Sequence, residues 1–129
     1  MNTVGVLFLC LTFFTASQGL TQEEKEAFHK ECLPQTGVSE DIVMKAMGGE
    51  FADDPNFKAY LLCFGKKLGF YSDEGGFQID VMKTKLLSVV ADEAVVNKML
   101  ECAVEKGSPE DTAFEAAKCM YAVKHDMMK

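Results

Sequence analysis

The side chains able to do chemistry in this 129-residue chain are few: five cysteines, two histidines, runs of paired acids and three tyrosines. The cysteines, Cys10, Cys32, Cys63, Cys102 and Cys119, contain no C-x-x-C, and the last four are separated by 30, 38 and 16 residues. Zinc sites usually place ligands in close pairs, so no metal site is expected. His29 lies on a charged segment and His125 near the C-terminus, each read as a surface histidine. Acid pairs such as Glu23 with Glu24 and Asp53 with Asp54 read as charges at helix starts rather than as a general acid and base. With no nucleophile beside a base, no catalytic residue and no cofactor are expected, and an enzyme is not the reading.

The cysteines' chemistry depends on compartment, and the N-terminus decides that. Residues 1 to 19 carry no charge, and "VGVLFLCLTFFTA", from Val4 to Ala16, is an apolar run of secretory-signal length, too short to span a bilayer. Thr15, Ser17 and Gly19 supply the small residues a signal peptidase accepts, so cleavage is expected after Ser17 or Gly19. A membrane anchor or a buried N-terminal helix is the alternative. The division is therefore a signal peptide at 1–19 and one domain at 20–129, secreted and extracellular. Cys10 leaves with the signal; the remaining four, in a short secreted chain, imply two disulfides with three possible connectivities.

Signal removal leaves 110 residues, enough for one small domain. The formal net charge of −7 makes nucleic acid and anionic membrane surfaces poor partners. No second apolar run approaches membrane length, so no membrane insertion is expected. Charge on this scale beside 48% hydrophobic residues suits a compact protein that stays in solution.

Helical periodicity dominates the 110 residues, and their punctuation marks six helices. The first opens on a capping box, Thr21 with Glu24, holds Phe28 and Cys32 inward and is expected to end near Leu33, because Pro34 follows. The second starts at Ser39, with Glu40 and Asp41 at its positive end, and stops at Gly48 and Gly49. The third is "DPNFKAYLLCFGKKLGF", capped by Asp53 or Asp54, with Pro55 in its first turn and Phe57, Tyr60, Leu61, Phe64 and Leu68 inward until Gly69. After the loop "YSDEGG" the fourth aligns Ile79, Met82, Leu86, Val89 and Val90. The fifth, about 92 to 106, turns Val95, Met99 and Cys102 to one side. The sixth opens on Ser108, Pro109 and Asp111 with Phe114, Ala117 and Tyr121 inward. No stretch alternates as a strand does, so the fold class is all-α.

These segments resemble a family, the insect odorant-binding proteins, in the four-cysteine branch often called Minus-C. Members carry a helix with two cysteines four apart before a "KLG"-like end; in "KAYLLCFGKKLG" Ala59 stands at the first and Cys63 at the second. They also carry two cysteines eight residues apart near the C-terminus; in "GSPEDTAFEAAKC" Glu110 stands at the first and Cys119 at the second. "GGEFADDPNFKAY" and "EGGFQID" are similar to the family's inter-helix loops. The resemblance implies Cys32 with Cys63 and Cys102 with Cys119, six helices around an internal apolar cavity, and a lost third bond between positions 59 and 110. In the chain-entropy model each remaining bond contributes roughly 3 to 4 kcal/mol by restricting the unfolded chain. Losing the third implies a more adaptable pocket.

The resemblance further implies a soluble secreted carrier of small hydrophobic ligands such as odorants or pheromones. An odorant receptor in a membrane would be an indirect partner, and the protein would be a monomer or weak dimer. Matched to the family's pocket positions, the expected lining is Leu61, Phe64, Phe77, Met82, Leu86, Val89, Met99, Ala113, Ala117 and Met120. Composition permits this: Met conforms to ligands of differing shape and Phe supplies flat walls. Tyr60 and Tyr121 are read first as phenols at a core edge, facing water, and second as donors to a ligand oxygen. Alternatives are a carrier of hormones, lipids or plant compounds outside sense organs, and a secreted helical effector acting through its surface. The final ten residues, "MYAVKHDMMK", are too few for a further helix folding back over the domain.

Overall fold

The computed structural model describes residues 21–128; the expected signal segment, Cys10 included, lies outside them. Six helices follow in order: α1 Gln22–Thr36, α2 Glu40–Met47, α3 Pro55–Leu68, α4 Ile79–Val90, α5 Glu93–Leu100 and α6 Pro109–Met127. A single antiparallel bridge, Tyr71 with Phe77, closes the loop before α4 and is the only β-type pairing among the described residues.

Helix starts are set by side chains satisfying otherwise orphaned backbone amides. Thr21 Oγ1 accepts from Glu24 N at 3.1 Å, and Asp54 Oδ1 from Phe57 N at 2.9 Å. Ser108 Oγ accepts from Asp111 N at 3.0 Å, with Pro109 in the first turn where its missing N–H costs nothing.

Two boundaries differ from expectation. α1 does not stop at Leu33 but carries Pro34 within it to Thr36. The proline falls in the last turn, where only one ladder bond is forfeited. Gly37 then ends the helix at φ +73°, its N–H donating to Leu33 O. α5 ends at Leu100, short of 106. Glu101, Cys102 and Ala103 each donate three residues back, which tightens the turn, and Lys106 N donates to Thr112 Oγ1 of α6 at 2.8 Å, drawing the following chain away from the helix axis. Residues 120–127 form no separate element and continue α6 to Met127.

Both disulfides join the implied partners, Cys32 with Cys63 across α1 and α3, and Cys102 with Cys119 between the α5 exit and α6, with Cα atoms 5.9 and 5.7 Å apart. α3 is packed on several sides, against α1 and along α6, while α5 lies between α4 and α6. This burial changes which α3 residues face inward: Phe57, Tyr60, Leu62 and Gly65 are buried, whereas Leu61 and Phe64 are half-buried. On α6 the buried residues are Thr112, Ala113, Phe114 and Ala116, because the helix has neighbours on two sides. Ala117 and Tyr121 are only partly covered.

Candidate ligand site

The buried apolar side chains form two clusters. The first gathers Met82, Leu86 and Val90 of α4, Val95, Val96 and Met99 of α5, Leu62 of α3, Ala113 of α6 and Phe70 and Tyr71 from the loop after α3. The second gathers Cys32, Val38, Val43, Phe57, Tyr60 and Phe114. Leu61 packs against both.

Of the ten expected lining residues, Met82, Leu86, Met99 and Ala113 are members of the first cluster, with Phe77 and Met120 packed against it. Phe64 packs against the second and Leu61 bridges the two. Two lie elsewhere. Val89 is 53% exposed on the outer face of α4, where Val90 takes the inward position. Ala117 is half-buried and belongs to neither cluster. Sequence reading missed Phe70, Tyr71, Leu62 and Val96 as core. Phe70 and Tyr71 follow the helix-stopping Gly69 and precede turn residues, so no periodicity marks them. Gly65 is the signal that could have found Tyr71: a helical glycine beside which the Tyr71 ring lies so close that an added Cβ would come within 2.6 Å of its Cδ2.

Polar groups at the rim are few and partnered. The Tyr60 hydroxyl does not face water; it lies 2.7 Å from His29 Nδ1, while His29 Nε2 lies 3.4 Å from Glu40 Oε1. A carboxylate can only accept, so Nε2 carries the proton, Nδ1 accepts and Tyr60 donates. His29 is thus a satisfied histidine that links α1, α2 and α3. Burial, reinforced by Glu40, pushes the Tyr60 phenol up to about 12, and burial alone does the same for Tyr71. Tyr121 packs on Phe51 and stacks with His125, ring centroids 5.8 and 6.0 Å away.

At one edge of the α3–α6 contact, Lys58 Nζ sits 2.9 Å from both Asp53 Oδ1 and Asp111 Oδ1. The hydrogen bond to Asp111, then that to Asp53, holds the ammonium above the usual lysine range. In return Lys58, followed by Ser108, holds the Asp111 carboxyl below its ordinary value. A separate, open depression of about 300 Å³ lies on the outer surface between α1 and α3, lined by Gln35, Ala59, Leu62, Cys63, Lys66 and Lys67. It takes in position 59, and only Leu62 of its lining belongs to the buried clusters. Among the described residues no group of three or more His, Cys, Asp or Glu could hold a metal, and no helix is long and apolar enough to cross a membrane.

Residues 16–123 match the PBP/GOBP family. The chain belongs to that family. The B1 protein of Tenebrio molitor is 39% identical over 114 residues, 85% of this chain and 88% of that protein. A fatty acid binding protein, OBP56a, from the oral disk of the blowfly Phormia regina superposes with a TM-score of 0.65 at 27% identity, covering 83% of this chain and 96% of its own. The THP12 carrier protein of the yellow meal worm gives 0.59 at 33% identity, covering 69% and 83%. The resemblance to insect odorant-binding proteins is thereby established, and two disulfides in the described residues agree with its four-cysteine branch.

Proposed function

We propose that this odorant-binding family member is a secreted carrier that takes one small, neutral, hydrophobic molecule into the first apolar cluster and conveys it through aqueous fluid. The observation that carries the reading is that cluster: four helices and a loop contribute to it, Met82 and Met99 sit at 0% and 5% exposure, and none of its members is charged. The cluster's side chains pack on one another. Two methionines among them, each with three rotatable bonds, can repack around a guest at small cost. Leu61, Phe77, Leu86, Ala113 and Met120 complete the proposed lining. The signal at 1–19 would deliver the domain to the extracellular space.

Two of the similar proteins are named for cargo or carriage, the blowfly protein for fatty acids and the meal-worm protein as a carrier. A carboxylate buried in the first cluster would find no cation among the cluster's residues, and an unpaired buried charge is costly. Neutral alcohols, esters and phenols are therefore favoured over free fatty acids. Competition against a neutral apolar fluorescent dye tests this. The expected result is one saturable site, displaced by long-chain alcohols and esters and at least tenfold more weakly by the matching carboxylates, about 1.4 kcal/mol or more. A dye that never binds stoichiometrically would instead favour the surface-effector reading.

A further inference from the structure

The disulfides divide the described chain into two covalently tied groups. Cys32–Cys63 fastens α1 to α3, and Cys102–Cys119 fastens the α5 exit to α6. Neither crosses from α3 to α6, although these helices pack along one another. That contact is also where the apolar clusters meet: Leu61 of α3 touches both, Ala113 of α6 belongs to the first and Phe114 to the second. A ligand bound for the buried side chains must part some packed surface, and a surface without a covalent tie opens locally at lower cost.

The seam is closed at one edge by charge. Lys58 lies one turn before Leu61, and Asp111 lies two and three residues before Ala113 and Phe114. The lysine side chain is 21% exposed, reaches Asp111 and Asp53 at 2.9 Å each, and places its ammonium 5.0 Å from the Phe114 ring centroid. Lys118 lies over the same ring at 5.1 Å. Asp53 belongs to the loop before α3, so one ammonium gathers that loop, α3 and the first turn of α6. Its carboxylate partners are 84% and 47% exposed, and an ion pair so open to solvent is weak enough to break and re-form readily.

We propose that the Lys58–Asp111 ion pair is a latch on the α3–α6 seam, and that its opening admits a neutral apolar ligand to the buried cluster. The inference rests on the carrier reading for its consequence and on the seam geometry for its mechanism, so the two are tested apart.

The experiment uses the disulfide-bonded protein, N-phenyl-1-naphthylamine as the neutral probe, and the variants Asp111→Asn and Lys58→Met. Stopped-flow association should be roughly five-fold faster in each variant, the scale expected for loss of a partly exposed ion pair. Dissociation should quicken in parallel, leaving equilibrium affinity nearly unchanged. Raising salt should speed association to the wild type and leave Lys58→Met unaffected, because without the ammonium neither Asp111 nor Asp53 has a partner to screen. Amide exchange at Ala113 and Phe114 should be faster in Asp111→Asn than in the wild type, with or without dye. Equal exchange at those amides in variant and wild type would overturn the latch, whatever the dye does. Faster exchange with unchanged association rates would overturn the access route. Absence of dye binding by the wild type would overturn the carrier reading.

Discussion

Tyr60 was legible as a half-polar residue on an inward helical face, but not as a donor to His29. Thirty-one positions separate the two, and nothing local in either helix announces the pairing. His29, on a segment crowded with Glu and Lys, looked solvated for the same reason. Tyr71 was hidden more deeply, among turn residues. Burial pushes both phenols up from an ordinary 10.0 to about 12, so the folded state holds these protons more tightly than the unfolded chain. Their contribution is therefore complete below pH 10 and is lost as pH rises from 10 towards 12, when the unfolded chain ionises first. The full shift corresponds to roughly 2 to 3 kcal/mol per phenol. Thermal unfolding between pH 8 and 11 should show a flat Tm up to about 10 and a fall beyond it. A Tm already declining between 8 and 9.5 would contradict this assignment.

At the scale of helices and loops the chain was most readable where punctuation is local. Ser39, Asp54, Pro55, Gly69, Ser108 and Pro109 each mark an end by a cap, a fixed φ or a left-handed turn, and the structure uses them so. Ends decided by tertiary contact were not readable. Pro34 is carried inside α1, and α5 stops seven residues before Gly107 because the Cys102–Cys119 bond and the Lys106–Thr112 contact redirect the chain. The loop at Phe70–Tyr71 docks on α3 only because Gly65 leaves room for the Tyr71 ring. Gly65→Ala would place a methyl where that ring lies. Although alanine is the better helix former, the overpacking should outweigh the gain and cost about 1 to 3 kcal/mol. Urea unfolding measures it; a variant as stable as the parent or more so would show that the loop does not pack this way.

For the molecule as a whole, all-helical architecture and bond pairing were accessible from the sequence: periodicity carried the first, and resemblance to a family carried the second. The burial of the proposed lining was accessible only in part. Of the proposed lining, Met82, Leu86, Met99 and Ala113 fall in one buried cluster. Val89 faces outward, because a helix packed on one side buries a narrower arc than its apolar stripe. Methionine gives a direct view of the central claim, since it occurs both inside and outside. Met82 and Met99 are buried, while Met44 and Met47 of α2 are 59% and 73% exposed. Methyl NMR of the methionine-labelled protein, titrated with a neutral long-chain alcohol, should show the Met82 and Met99 resonances shifting in one saturable 1:1 step while Met44 and Met47 stay fixed. Saturable binding that moves only the exposed methyls, leaving Met82 and Met99 unchanged, would contradict an internal site.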